Sequence, residues 1–459
     1  MTGRFDEFAA SVRRIVPLAW PVFIGQLAVL GFSTIDTVLV ARRSPTDLAA
    51  LSVGSAAFIT VFIGLMGVVL AISPVVGQLF GARRLVEAGR QVHQMLWLTL
   101  ALAVVGMLVL AFPAPFLALA KAGPELERQV RGYLLALALS LPASLLFSIY
   151  RGFNVAVSRP KAVMALQLGG LALKVPLSIA LVSGVPGLGI PALGVLGCGI
   201  ATLIATWAQA LGALMVLRRD PFYDPFELWQ HGIARPDRAS ISALLRLGLP
   251  MGLSILIEVS SFSMMAIFIA RLGEGPVAGH QIAANLMALM FMLALGLANG
   301  TSTLVAQRIG AQDLHDARRL GWHGLLLALA VSALLGGTVF LTREGVVHLY
   351  TSNAAVIAAA LPLLVWVALF HIADAVQTVA NFVLRAWKIA TLPLVIYAGS
   401  LWIVGLGGGY VLAFDLAGNT PAGLRGAQGF WFAATLGLAL AASGLALLLL
   451  AVLRSHRAT

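Results

Sequence analysis

Three acidic residues, Asp36, Glu258 and Asp374, lie deep inside long apolar segments of the chain. A carboxylate near the middle of a lipid bilayer costs about 2.5–3.5 kcal/mol on the insertion scale, so sequences keep such residues mainly where they face a cavity or a partner. Carboxylates in such places can bind and release a proton or Na+. We therefore predict that these three residues are coupling-cation or proton sites.

Glu258 and Asp374 lie at similar depths in the membrane. Each is about a dozen residues from a flanking arginine, Arg246 or Arg385, which at 1.5 Å per helical residue places both roughly 17 Å from the same face. Two carboxylates in a poorly hydrated site cannot both ionise freely unless they share a cation. The spacing therefore predicts one shared H+ or Na+ site, and no other metal site is expected.

Polar residues recur at helical spacing around Asp374 and predict one inward-facing stripe. The stripe consists of His371, Asp374, Gln377, Thr378 and Asn381. His371 lies one turn before Asp374 and can relay protons to it. The alternative is that His371 is a hydrogen-bonded packing residue, and the sequence leaves both interpretations open.

Lys174 is the one basic residue that falls inside a predicted membrane span. Counted along their helices, Lys174 and Asp36 lie about 20 and 21 Å from the inner face. Pairing offsets part of the cost of placing each charge in the membrane. We predict an ion pair between them; the alternative is that Lys174 extends toward solvent and never meets Asp36.

A further group of residues is predicted to line a substrate cavity, because thioethers, an aromatic ring and polar side chains suit promiscuous binding. The group consists of Thr202, Phe262, Met265, Gln281, Asn285, Met287 and Met292. The alternative for the methionines and Phe262 is contact with lipid or neighbouring helices. The alternative for the polar members is hydrogen bonding between helices.

Membrane helices must position all of these residues. The chain has 459 residues, of which 60% are hydrophobic and 10% are charged, and its mean hydropathy is +0.96. Soluble domains are about 45–50% apolar and about 25% charged, so a water-soluble protein is excluded. Charges and Pro/Gly clusters divide the chain into twelve apolar runs long enough to cross a bilayer. The predicted fold class is an all-α integral membrane protein with twelve transmembrane helices.

The charged residues indicate orientation and exclude some partners. The net charge of +12 does not indicate a nucleic-acid partner, because the basic residues punctuate apolar runs instead of forming one patch. With alternating sides assigned to successive loops, 21 of the 30 Lys and Arg residues fall on the side of the N-terminus and 8 on the other. The positive-inside rule then places both termini in the cytoplasm. The single cysteine, Cys198, excludes an internal disulfide and any multi-cysteine metal site.

The two halves of the chain match each other at one constant offset. Matched pairs include Pro21 with Pro250, Gln78 with Gln307, Arg90 with Arg319, and Gly197 with Gly426. Each repeat holds six spans, so both begin on the same side, as parallel repeats related by a pseudo-two-fold axis along the membrane normal. Such repeats typically rock around a central site, which points to a transporter.

The predicted organisation has five parts. They are an N-terminal interfacial segment (1–14), an N-terminal six-helix lobe (15–217), a cytoplasmic linker (218–242), a C-terminal six-helix lobe (243–453) and a cytoplasmic tail (454–459).

Several motifs together resemble the multidrug and toxic compound extrusion (MATE) family, in its NorM-like branch. They are LAWP (18–21), TIDTVLVAR (34–42), PVVGQLFGARR (74–84), RGFN (151–154), GCGIAT (197–202), GHQIAANL (279–286) and LRAWK (384–388). The resemblance covers nearly the whole chain, and the order, spacing and duplication of the motifs carry it.

The resemblance implies two six-helix lobes around a V-shaped cavity, and export of cationic amphipathic drugs and dyes in exchange for Na+ or H+. The family's acids on helices 1, 7 and 10 correspond to Asp36, Glu258 and Asp374. Lys174 and Ser178 stand where some relatives carry Asn or Asp, which puts a second cation site in the N-terminal lobe in doubt. We expect a monomer in the cell inner membrane without a cofactor.

Three other classes of protein are alternatives, and one of them, a channel, is disfavoured because the duplication into two lobes argues for alternating access. A major-facilitator drug/proton antiporter also has twelve spans in two repeats, but the loop GQLFGARR lacks the Asp-Arg pair usual there. A membrane-embedded enzyme would need a nucleophile or metal motif at a membrane face, and HIAD (371–374) is the only cluster of His and acid deep in a span.

Overall fold

The structure is a computed structural model that describes residues 2–114, 116–117, 123–185, 187, 189 and 191–455. Within these residues, twelve helical segments are long and apolar enough to cross a membrane, which confirms the predicted all-α class and number of spans. In chain order, spans 1 to 12 are Phe5–Ala41, Pro45–Gly81, Leu85–Ala111, Pro124–Ala156, Pro160–Ser183, Val195–Arg219, Arg238–Ala270, Glu274–Gly310, Leu314–Tyr350, Ala354–Ala386, Thr391–Ala413 and Ala427–Arg454.

Two of the spans are not regular α-helices throughout. Span 2 consists of the helices Pro45–Val69 and Ile72–Gly81, which are joined by a short turn. Span 11 begins as the helix Thr391–Tyr397, continues as a π-helix over Ala398–Gly407 and ends as the helix Gly408–Ala413. A π-helix is rare and is often found at functional sites. The side chain of Tyr397, the last residue before the π-helix, donates a hydrogen bond to Gln377 of span 10.

The chain forms two compact units. One comprises Met1–Phe23 and Leu253–Thr459, and the other comprises Ile24–Gly252. This division differs from the predicted one at 218–242, because the first part of span 1 packs with the C-terminal half and the first part of span 7 packs with the N-terminal half. Pro21 and Pro250 lie inside their helices, each just before the residue at which the helix passes from one unit to the other.

Glycines let the first part of span 7 approach span 2 closely. A Cβ at Gly248 would lie 2.5 Å from the carbonyl oxygen of Val68, and one at Gly252 would lie 2.6 Å from that of Gly64. The two glycines are four residues apart and therefore lie on one face, the spacing that brings membrane helices together. In the other unit, Gly296 approaches Ala19 of span 1 in the same way. These contacts are the physical reason for the observed division.

We expect Gly252→Leu to lower the stability of the protein. The added side chain would collide with the backbone of span 2, and overpacking of this kind typically costs about 1–3 kcal/mol. Thermal unfolding in detergent measures the effect. Gly337→Ala is the matched control, because nothing lies within 4 Å of a Cβ there. An unchanged unfolding temperature for Gly252→Leu would show that the two helices are not held by this close approach.

The predicted interfacial segment, 1–14, is continuous with span 1 from Thr2 onward. Arg14 forms an ion pair with Asp316 at 2.9 Å, and the hydroxyl of Ser11 lies 2.7 Å from Nδ1 of His323. Since both partners belong to span 9, the segment packs onto the unit that contains the C-terminal half.

The predicted linker, 218–242, packs onto the unit that contains the N-terminal half. It contains a 3-10 helix at Pro221–Phe226, capped by Asp220, whose side chain accepts from the N–H of Phe222 and pairs with Arg159. The N–H of Phe222 and the Arg159 guanidinium hold the pKa of Asp220 below its usual value. Tyr223 donates to Asn154 at 2.6 Å. These bonds tie the linker to span 4 and to Arg159, the residue before span 5.

Candidate functional site

The predicted acids of the C-terminal half meet at one amide. Nε2 of Gln377 on span 10 lies 3.1 Å from Oε1 of Glu258 on span 7 and 3.0 Å from Oδ1 of Asp374. The two carboxylate oxygens are therefore no further apart than the sum of these distances, about 6 Å. Asp374 and Gln377 share a helix face because they are three residues apart. Glu258 and Asp374 are thus brought together as the sequence predicted.

Span 11 completes the surroundings of Gln377. The hydroxyl of Tyr397 donates to Oε1 of Gln377 and accepts from Nδ2 of Asn381 at 2.9 Å. The amide of Gln377 is held by Tyr397 on its oxygen side, so its nitrogen points to the two carboxylates. Asp374, Gln377, Asn381 and Tyr397 are buried, and Glu258 is partly buried.

Arg385 is a buried cation in the same unit. Its position in the sequence predicts a cytoplasmic charge, but the structure leaves it only 4% exposed, with its guanidinium 4.7 Å from the centre of the Phe382 ring. It lies four residues after Asn381 on span 10, and so on the side of that helix that faces Tyr397. Sequence alone offered no signal for this placement, because an arginine near the end of an apolar run usually faces water.

Glu258, Asp374, Gln377 and Arg385 form a largely buried cluster whose net charge and ligand atoms can be counted. With Glu258 and Asp374 ionised and Arg385 charged, it carries one net negative charge. Its oxygen atoms, from two carboxylates and the hydroxyl of Thr378 3.1 Å from Gln377, are the ligand type that hard cations prefer. The cluster can therefore accept one monovalent cation.

The proposed relay residue, His371, is buried, and its Nδ1 has no hydrogen-bond partner. The structure therefore offers no hydrogen-bonded path from that atom to Asp374. The relay role stays a prediction.

The N-terminal half holds a different site, built on Asp36 and Lys174. Nζ of Lys174 on span 5 lies 2.7 Å from Oδ2 of Asp36 on span 1, so the predicted ion pair is present. The same Nζ lies 2.7 Å from Oγ1 of Thr202 on span 6 and 4.8 Å from the centre of the Phe32 ring. Ser178, one turn after Lys174, donates to the other oxygen of Asp36 at 3.3 Å. Lys174 is 1% exposed and Asp36 is 4% exposed.

The residues predicted to line a substrate cavity separate into three groups. Thr202 belongs to the ion-pair site. Met265 is buried in the core, and Phe262 packs against His280 and Trp431, with ring centres 5.7 and 5.9 Å away. The ring centre of Phe262 also lies 6.4 Å from that of Phe370 on span 10, so Phe262 packs against spans 8, 10 and 12 within one unit. The predicted place of Met265 and Phe262 at a substrate cavity stays a prediction. Gln281 and Asn285 are exposed, and Met287 and Met292 are partly buried.

Comparison with known proteins gives two matches within the chain and close relatives over its length. The MatE family model matches residues 21–180 and again residues 250–411. A probable multidrug resistance protein NorM of Aromatoleum aromaticum is 41% identical over 96% of this chain and 94% of its own length. The multidrug resistance protein PmpM of Pseudomonas aeruginosa is 35% identical over 91% and 87%.

Solved structures share the architecture. The MATE transporter VcmN of Vibrio cholerae superposes with a TM-score of 0.84 at 20% identity, with 98% of each chain covered. The eukaryotic MATE transporter AtDTX14 gives a TM-score of 0.85 at 17% identity, with 97% and 96% covered. At these identities the likeness concerns the fold, and the two family matches agree with the duplication found in the sequence.

Proposed function

The chain belongs to the MATE family of membrane transporters, and from that premise we propose that it is a cation-coupled multidrug antiporter. It takes up H+ or Na+ and exports cationic amphipathic compounds by alternating access, and it needs no cofactor. Family membership excludes both the major-facilitator antiporter and the membrane-embedded enzyme.

The observation that carries the coupling half of the proposal is the bridged pair of Glu258 and Asp374. A single neutral amide, that of Gln377, holds two carboxylates within about 6 Å of each other. Their repulsion is relieved by one bound cation, because charges attract and repel strongly where water is scarce. Binding and release of that cation change the electrostatics of spans 7, 10 and 11 together, which provides a means of coupling to a movement of these helices.

The substrate class is supported by the relatives, which are named as multidrug resistance proteins. In this proposal the exposed amides of Gln281 and Asn285 and the thioethers of Met287 and Met292 contact the exported compound. Met265 and Phe262 belong to the same predicted set of cavity residues. A flexible, weakly polar surface accepts many shapes, as a multidrug transporter requires.

The proposed setting is the cell inner membrane, with both termini in the cytoplasm and the protein working as a monomer. The excess of basic residues on the side of the termini supports this orientation.

The proposal is tested in proteoliposomes loaded with a fluorescent cationic dye such as ethidium. A Na+ gradient and a pH gradient are imposed separately, with the membrane voltage clamped at zero by K+ and valinomycin. We expect one of the two gradients to drive dye transport above the rate of protein-free liposomes, and the gradient that does so identifies the coupling ion. If neither gradient drives transport of any cationic dye, the proposal of a cation-coupled antiporter is refuted.

A further inference from the structure

We propose that Lys174 is a tethered cation that takes the place of a second coupling ion, so that the protein exchanges one monovalent cation for each substrate molecule. The inference rests on the proposed antiport, and it adds a stoichiometry and a residue that sets it.

The two carboxylate oxygens of Asp36 have different partners. Its two oxygens face the ammonium of Lys174 at 2.7 Å and the hydroxyl of Ser178 at 3.3 Å. Among the residues that the structure describes, Lys174 is the only basic side chain within 4 Å of the Asp36 carboxylate.

The ammonium occupies the place that a bound cation would take. It is held by a carboxylate oxygen, by the Thr202 hydroxyl at 2.7 Å and by the face of Phe32 at 4.8 Å. Thr202 in turn donates to the carbonyl of Cys198 at 2.9 Å, so its lone pairs face Lys174. Oxygen atoms and an aromatic face around a positive charge are the usual surroundings of a bound cation.

The charge count follows from these contacts. Asp36 and Lys174 together carry no net charge, whether the shared proton resides on nitrogen or on oxygen. In the C-terminal half, Glu258, Asp374 and Arg385 together carry one net negative charge. The total over the two buried sites is therefore one negative charge, which requires one monovalent cation.

This count predicts how transport responds to voltage. Exchange of one monovalent cation for one monovalent cationic substrate moves no net charge, so the membrane potential does not drive it. If Lys174 were replaced by a neutral residue, Asp36 would need a second cation from solution, and each cycle would move one net charge. A potential of 100 mV then changes the final dye accumulation ratio about 40-fold.

The experiment uses dye-loaded proteoliposomes in which the coupling-ion gradient is constant and the voltage is clamped at zero or at about 100 mV. For the wild-type protein we expect the same accumulation ratio at both voltages. For Lys174→Gln we expect the ratio to change about 40-fold. Lys174→Arg, which keeps the positive charge, and Lys161→Gln, which removes an exposed lysine from the same helix, should behave as the wild type does.

A purely structural role for Lys174 would lower abundance or rate without changing this voltage response. The inference is overturned if the wild-type ratio follows the voltage, or if Lys174→Gln transports dye and its ratio does not. Should Lys174→Gln fail to fold, the wild-type measurement decides the stoichiometry. The double variant Asp36→Asn with Lys174→Met leaves the site uncharged. Its dye accumulation ratio must then also be the same at both voltages. Absence of any gradient-driven transport refutes the antiport itself, an outcome distinct from these.

Discussion

Neutralising either carboxylate of the bridged pair should abolish ion-driven efflux. In Glu258→Gln or Asp374→Asn, the net charge of Glu258, Asp374 and Arg385 changes from minus one to zero, so the cluster no longer requires a cation. A gradient of that cation can then no longer drive transport, because no cation needs to bind. We expect gradient-driven dye transport in proteoliposomes to fall to the level of protein-free liposomes.

The matched control for this prediction is Glu274→Gln. Glu274 begins span 8 and is exposed, so the same substitution there should leave transport unchanged. Substrate binding, followed by the fluorescence polarisation of the dye, should survive in the two site variants, since the carboxyl-to-amide change keeps their shape. If both variants reach the membrane at normal abundance and still transport dye along the ion gradient, the coupling site lies elsewhere.

Breaking the Asp36–Lys174 pair from one side should destabilise the protein more than removing it altogether. Removal of one partner from a buried ion pair leaves an uncompensated charge and typically costs about 3–5 kcal/mol. Asp36 and Lys174 are both buried in the membrane region, so we expect a loss of this order for Asp36→Asn and for Lys174→Met. The double variant should be closer to the wild type than either single one, because it leaves no buried charge.

Thermal unfolding in detergent, measured for the two single variants and the double variant, gives the coupling free energy of the pair. The pair Arg128–Glu125 is a suitable control, since both side chains are exposed and such pairs contribute little. For Arg128→Met and Glu125→Gln we expect unfolding temperatures near that of the wild type. Strictly additive losses for Asp36 and Lys174 would mean that their contact does not stabilise the fold.

The duplicated, twelve-span architecture was predictable because hydrophobicity and charge act locally along the chain. A run of about 20 apolar residues crosses the bilayer wherever it occurs, and flanking lysines and arginines mark its ends. The same local rule placed Glu258 level with Asp374 and Lys174 level with Asp36. Depth follows from counting residues at a constant rise per residue, and the observed contacts agree with it.

The tertiary structure alone decided which side chains meet at each depth. Counting residues gives no information about how a helix is rotated or which helices are its neighbours. The meeting of Tyr397 with Gln377, the burial of Arg385 and the packing of Phe262 among aromatic rings all depend on these two quantities. Close approach at residues such as Gly248 and Gly252 determines them, and it assigned the first parts of spans 1 and 7 to units that their sequence positions did not indicate. The sequence by itself therefore determined the class, the spans and the depths of the charged residues, whereas helix packing determined the two sites, because packing depends on contacts between residues far apart in the chain.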